Sequence, residues 1–117
     1  MSIEDTEYKR ELRRMVVAAV YSRWHIVKKP VDLETIFLRV LDAAKLRRAE
    51  GNWPFQILPI KRTVDRRVNE AADPRFYEGG VPPLLMASPG YYVPNPDRFE
   101  GETKAKLQVR IKDLDSG

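Results

Sequence analysis

With 117 residues, 43% of them hydrophobic and 32% charged, the chain has the composition of one globular domain rather than of a disordered segment. It has no cysteine and a single histidine, His25, which excludes disulfides, cysteine-bound zinc and thiol chemistry and leaves no second histidine to share a metal. Its 21 basic and 17 acidic residues leave a net charge of +4, a balance that suits a polyanionic partner without specifying one.

The first element is a helix from Ile3 to Ser22. Ser2 stands at its N-cap position, and Glu4, Asp5 and Glu7 suit the positive end of the helix dipole. Tyr8, Leu12, Met15, Val16, Ala19 and Val20 recur at three- and four-residue spacing and so share one face, with Arg10, Arg13 and Arg14 opposite. The longest apolar run, Met15 to Tyr21, is far short of the ~20 residues that cross a bilayer. Acidic and basic residues precede it without a signal-peptide pattern, so a cytoplasmic location without membrane contact is expected. Trp24 to Val27 is aromatic and β-branched and predicts a short strand, ended by Lys28-Lys29-Pro30.

A second helix starts at Asp32, an N-cap residue with Glu34 in the first turn. Val31 and Ile36 have the spacing of a hydrophobic staple. Leu33, Ile36, Phe37, Val40, Leu41 and Ala44 form its apolar stripe. Lys45, Arg47 and Arg48 suit its C-terminal end, and Gly51 lies just past it. A loop from Asn52 to Gln56 follows, holding Trp53-Pro54-Phe55, whose aromatics are expected to fold back over the core. A third helix then begins at Pro59 and covers Ile60 to Ala72. Ile60, Val64, Val68 and Ala71 face inward at about 100° per residue, and Arg62, Thr63, Arg66 and Asn69 face outward.

Pro74, Gly79-Gly80 and Pro82-Pro83 end helical structure. Leu84 to Ala87, the turn Ser88-Pro89-Gly90 and Tyr91 to Val93 then read as a hairpin, with Pro89 and Gly90 at the central turn positions. Tyr91 and Tyr92 alternate, so one points into the core and the other outward. The segment after Pro96 is ambiguous. Ala105, Leu107, Val109 and Ile111 alternate with polar residues as in a strand, whereas Leu107, Ile111 and Leu114 also fit one helical face behind Glu100 and Glu102.

Little in the chain suits catalysis. Its carboxylates are scattered among basic residues, its serines lack a nucleophile pattern, and Gly79-Gly80 is not a phosphate-cradling loop. No cofactor, metal or small-molecule motif is evident. The order helix, strand, helix, helix, hairpin is instead that of a winged helix-turn-helix: a mainly α (α+β) fold with a three-helix core, a wing and a C-terminal helix. In that arrangement the third helix enters the major groove. Arginine reads guanine, asparagine reads adenine and a threonine methyl meets thymine, which points to Arg62, Thr63, Arg66 and Asn69 for base edges. Lys61, Arg67 and Arg75 flank that face and suit phosphates.

Lys61-Arg62-Thr63-Val64-Asp65-Arg66-Arg67-Val68 resembles the recognition helix of many helix-turn-helix regulators. Gly80-Val81-Pro82 and Ala87-Ser88-Pro89-Gly90-Tyr91-Tyr92-Val93 resemble the wing of small winged-helix proteins common in bacteriophages and prophages. Arg110-Ile111-Lys112-Asp113-Leu114 matches the basic end of the acidic helix that follows the wing in those proteins. The resemblance covers the second half of the chain. It implies double-stranded DNA binding in transcription control or phage replication, and it favours helix at the C-terminus. The expected organisation is a winged-helix domain over 1–96 and a C-terminal helix or tail over 97–117, with a homodimer formed through that helix. Two segments depart from the family: the long link from Arg48 to Leu58, and Arg75 to Glu78 before the wing. A protein-interaction module on the same fold, using an exposed Trp53-Pro54-Phe55 loop, is the alternative.

Overall fold

A computed structural model of the chain describes residues 3–116. Four helices run α1 (Ile3–Val27), α2 (Leu33–Ala49), α3 (Lys61–Ala71) and α4 (Gly101–Ser116). Three strands, β1 (Val31–Asp32), β2 (Leu84–Ser88) and β3 (Tyr91–Pro94), form one antiparallel sheet in the order β1-β3-β2. The fold is therefore mainly helical with a small sheet. Among the described residues, no helix is long and apolar enough to cross a membrane.

The first helix is longer than its sequence suggests. Trp24 to Val27 belong to α1 and not to a strand. The reason is the stripe Tyr8, Leu12, Val16, Val20, Trp24, which recurs every four residues and is buried along its whole length. Trp24 packs with Val93 of β3 and Leu107 of α4. Burying that ring in helical register outweighs the weak strand preference of the local sequence. The helix stops where Lys28 turns to a positive φ of 55° and its N–H closes on Trp24 O at 2.9 Å. The N-cap expected at Ser2 lies outside the described residues. The short strand forms instead at Val31 and Asp32, paired with Tyr92 and Tyr91 of β3.

Both ends of α2 follow the local chemistry. Asp32 accepts from Thr35 N at 3.1 Å and from Thr35 Oγ1 at 2.6 Å. At the other end, Asn52 N donates to Arg47 O and Gly51 N to Arg48 O, a Schellman closure that needs the left-handed φ of 79° at Gly51. Ile36, Val40 and Ala44 face the core as expected.

The main core joins α1, α2, α3 and the sheet. Leu12, Val16 and Val20 meet Ile36 and Val40 of α2, Val64 and Val68 of α3, and Leu84 and Tyr92 of the hairpin. Each fully buried aliphatic side chain is worth roughly 1.5–3 kcal/mol relative to exposure. The α2–α3 loop adds an aromatic cluster: Trp53 packs edge-on to Tyr8 and Phe55, and its indole N–H donates to Ile57 O at 3.0 Å. Trp53 is buried and Phe55 half-buried, so the two aromatics fold back over the core as expected; with Pro54 alone left outside, the loop does not form the exposed aromatic surface of the protein-interaction alternative.

The hairpin turns at Pro89-Gly90, where Gly90 has the expected positive φ of 81°. A bulge lies between Met86 and Ser88. Its base is held through Pro82 and Pro83, which have carbonyls but no N–H. Tyr21 Oη donates to Pro83 O at 2.9 Å, Asn95 N to the same oxygen, and Asn95 Nδ2 to Pro82 O at 2.8 Å. The C-terminal segment is helical. Leu107, Ile111 and Leu114 of α4 pack in a second small cluster with Trp24, Val93 and Phe99.

The Asp32 cap supports a prediction. Hydrogen bonds from the Thr35 side chain, and then from its backbone, hold the Asp32 carboxyl below the ordinary aspartate range despite some burial. A depressed folded pKa contributes stability above the unfolded pKa and loses it as pH falls through the folded one. Asp32→Ala is expected to cost about 1 kcal/mol near neutral pH. Urea unfolding curves of the two proteins should converge in acid, below the ordinary aspartate pKa.

Candidate nucleic-acid interface

The orientation of α3 follows from its apolar positions. Val64, Val68 and Ala71 are fully buried. Rotation by about 100° per residue then sends Arg62 and Arg66 to the opposite side, where both are exposed. Being four residues apart, the two residues have backbone positions about 6 Å apart along the axis. Among the described residues neither has an ion-pair partner.

The other expected residues are placed differently. Lys61 is exposed but donates to Asp65 at 2.8 Å, one turn on. Thr63 is half-buried on the flank of the helix. Asn69 is exposed, and its Oδ1 accepts from Tyr92 Oη at 2.8 Å. Burial, then the nearby Asp65 charge, pushes the Tyr92 phenol above its usual pKa, so it remains protonated and donating. The bond orients the amide and leaves its Nδ2 directed away from that contact. Arg75 is clasped by Asp73, with Nη2 at 2.7 Å from Oδ2 and Nε at 3.1 Å from both carboxylate oxygens. That clasp, first by side-chain hydrogen bonding, also holds the Asp73 carboxyl below its ordinary value.

Arg67 corrects the expected set. It was expected on the phosphate-facing flank, but only 3% of it is exposed. Its Nε lies 2.8 Å from Glu70 Oε1, and Arg13 Nε of α1 lies 3.6 Å from the same oxygen. The Arg13 guanidinium also sits over the Phe76 ring, 5.4 Å from its centroid. Glu70 thus ties two arginines together across the α1–α3 seam. The signal was in the spacing: Arg67 stands three residues after Val64 and four before Ala71, a core position filled by a charge. Ile60 errs in the opposite sense. It adopts an extended N-cap backbone (φ −112°, ψ 155°) one residue before α3 starts, leaves the helical register and is 53% exposed. Pro59 is buried just ahead of it.

The hairpin offers a different kind of surface. Tyr92 points inward and Tyr91 outward, while Leu85, Met86 and Ser88 are exposed. No charged residue occurs from Leu84 to Pro94. The Gly90 carbonyl accepts from Leu33 N, the first amide of α2, at 3.2 Å, so the turn is tethered to that helix start. The apolar face of α4, expected to pair two copies, is used within the chain, and Val109 is left 59% exposed.

Compared with known proteins, the chain matches no family model, no curated protein and no solved structure.

The Arg13–Glu70–Arg67 cluster should behave as part of the fold. Arg67→Ala removes both the charge facing Glu70 and a buried side chain's volume and is expected to cost roughly 3 kcal/mol, whereas Arg67→Met loses the same charge but keeps most of that volume and should cost less. Urea unfolding of both variants checks this. Equal and negligible losses would place Arg67 outside the stabilising network.

Proposed function

We propose that this chain is a winged-helix protein that binds double-stranded DNA through the outer face of α3. The carrying observation is how the cations expected at the interface are used. Lys61, Arg67 and Arg75 are each engaged by a carboxylate of the chain, while Arg62 and Arg66 are exposed, unpaired and one turn apart. Two uncommitted arginines rooted about 6 Å apart along the helix can address base pairs about two steps of ~3.4 Å apart. Each can hydrogen-bond a guanine edge with both of its terminal nitrogens. Asn69, oriented by Tyr92, presents an amide beside them that suits adenine. The element order and the sheet order β1-β3-β2 support the fold half of this proposal. The motif resemblance supports a role in transcription control or phage replication.

Phosphate contacts then fall mainly to the flanks. Lys61 reaches a phosphate by giving up Asp65, and Arg75 by giving up Asp73; both exchanges are inexpensive, because exposed ion pairs are worth about 0–1 kcal/mol. Arg67 contributes only by holding α3 in place.

A second reading, a protein partner, is favoured by one observation: the uncharged hairpin exposes Met86 and Tyr91, a surface that does not attract phosphate. Salt distinguishes the two, since DNA affinity falls steeply with ionic strength and an apolar contact does not.

Fluorescence anisotropy with short random-sequence duplexes provides the test. Binding at low salt should weaken sharply as salt rises. On a duplex selected from that pool for tight binding, Arg62→Ala and Arg66→Ala should each lose about 1–3 kcal/mol. Tyr92→Phe should weaken binding less, through a loosened Asn69. Duplex affinity that is absent at low salt, or unchanged from the parent chain in both arginine variants, rules the proposal out.

A further inference from the structure

A groove lies away from the α3 face, between the end of α1, the residues Pro94 and Phe99, and α4 from Thr103 to Arg110. Its volume is about 610 Å³, within the ~300–1,000 Å³ usual for small-molecule sites. Its walls are apolar and largely aromatic, from Tyr21, Trp24, Phe99 and Leu107. The Tyr21 and Phe99 rings lie 5.7 Å apart at an interplanar angle of 34°, forming a broad aromatic side.

The charged groups of the lining have one sign. Lys28, just past the end of α1, and Arg110 on α4 line the groove beside the imidazole of His25, and no carboxylate does. A further cation, Lys106, is held at 3.0 Å by Glu102, which lies outside the lining. Among the described residues, the side chains of His25, Lys28 and Arg110 have no hydrogen-bond or ion-pair partner.

We propose that this groove binds a small aromatic carboxylate, its ring against the aromatic walls and its carboxylate at the basic groups of the lining. Three features favour that class. Walls from three segments surround a compact molecule more completely than a flat partner surface. Aromatic walls favour a flat ring, which gains offset or edge contacts in addition to burial. Unpaired ammonium and guanidinium groups favour an anion, and arginine in particular matches a carboxylate with two parallel hydrogen bonds. The site does not depend on what α3 binds.

The probe is 1-naphthoate, with the neutral 1-naphthylmethanol as control, added to the full chain and followed by amide and indole NMR shifts. Saturable shifts centred on Trp24, Phe99 and Leu107 are expected, with the neutral analogue binding several-fold more weakly. Arg110→Glu, at an exposed position, should weaken 1-naphthoate by at least roughly fivefold with an unchanged fold, and Lys28→Gln by less. Shifts that do not saturate, equal affinity for the neutral analogue, or affinity unchanged in both variants would overturn the site.

Discussion

The burial of Val64, Val68 and Ala71 against α1 is the constraint on which the functional surface depends. All three are fully enclosed, so α3 has one admissible rotation about its axis. A turn of about 100° in either direction would bring Arg62 or Arg66 toward the core and cost several kcal/mol in unpaired buried charge. The outward direction of those arginines is therefore a consequence of apolar packing. The Arg13–Glu70–Arg67 cluster acts at the same seam through charge proximity, with Glu70 Oε1 2.8 Å from Arg67 Nε and 3.6 Å from Arg13 Nε.

A second level of constraint fixes the sheet relative to that seam. Pro82 and Pro83 cannot donate to a ladder, so their carbonyls became acceptors for Tyr21 of α1 and for buried Asn95. The hairpin is thus fastened at its base to α1, at its turn to the start of α2, and through Tyr92 to Asn69 of α3. Glu11 works similarly at the other end of the core. Burial raises its carboxyl, but hydrogen bonds and charge from Arg14 and Arg47 outweigh this and hold it below the ordinary glutamate value. Arg47 in turn covers the Trp53 ring at 5.2 Å and donates to Asn52 O, which fixes the long α2–α3 link.

What the sequence made legible was the part governed by local chemistry. The Asp32 cap, the Gly51 stop, the Pro89-Gly90 turn and the apolar stripes of α2 and α3 each follow from side chains within a few residues. The misplacements have nonlocal causes. Trp24 is helical because α4 and β3, some 70 to 80 residues later in the chain, provide its pocket. Arg67 is buried because Glu70 and the α1 seam accept its charge, although a basic residue in a basic run reads as solvated. Trp53 and Phe55, by contrast, fold back over the core as their aromatic character suggests, with Tyr8 there to meet them. The C-terminal segment carried both periodicities, and burial of Leu107 against Trp24 selected the helical one. Within the candidate site, exposure was readable from helical spacing, but the assignment of each cation to a partner was not, because Asp65 and Asp73 are as close in sequence as any solvated charge.

The two uncommitted surfaces, a basic helix face and an aromatic groove with basic groups in its lining, are joined by α1. Around Arg13, α1 is tied through Glu70 to α3; around Trp24, it forms one wall of the aromatic groove. At about 1.5 Å per residue these points lie ~17 Å apart along one continuous helix. A ligand in the groove touches the end of α1 and the face of α4, but no residue of α3 lines that cavity. Occupancy of the groove therefore adds contacts between α1 and α4 and leaves the α3 register to its own buried valines. An influence of such a ligand on α3 has two routes: strand β3, whose Pro94 lines the groove and whose Tyr92 holds Asn69, and a rigid-body movement of α1. The full burial of Leu12, Val16 and Val20 against the rest of the core opposes that movement.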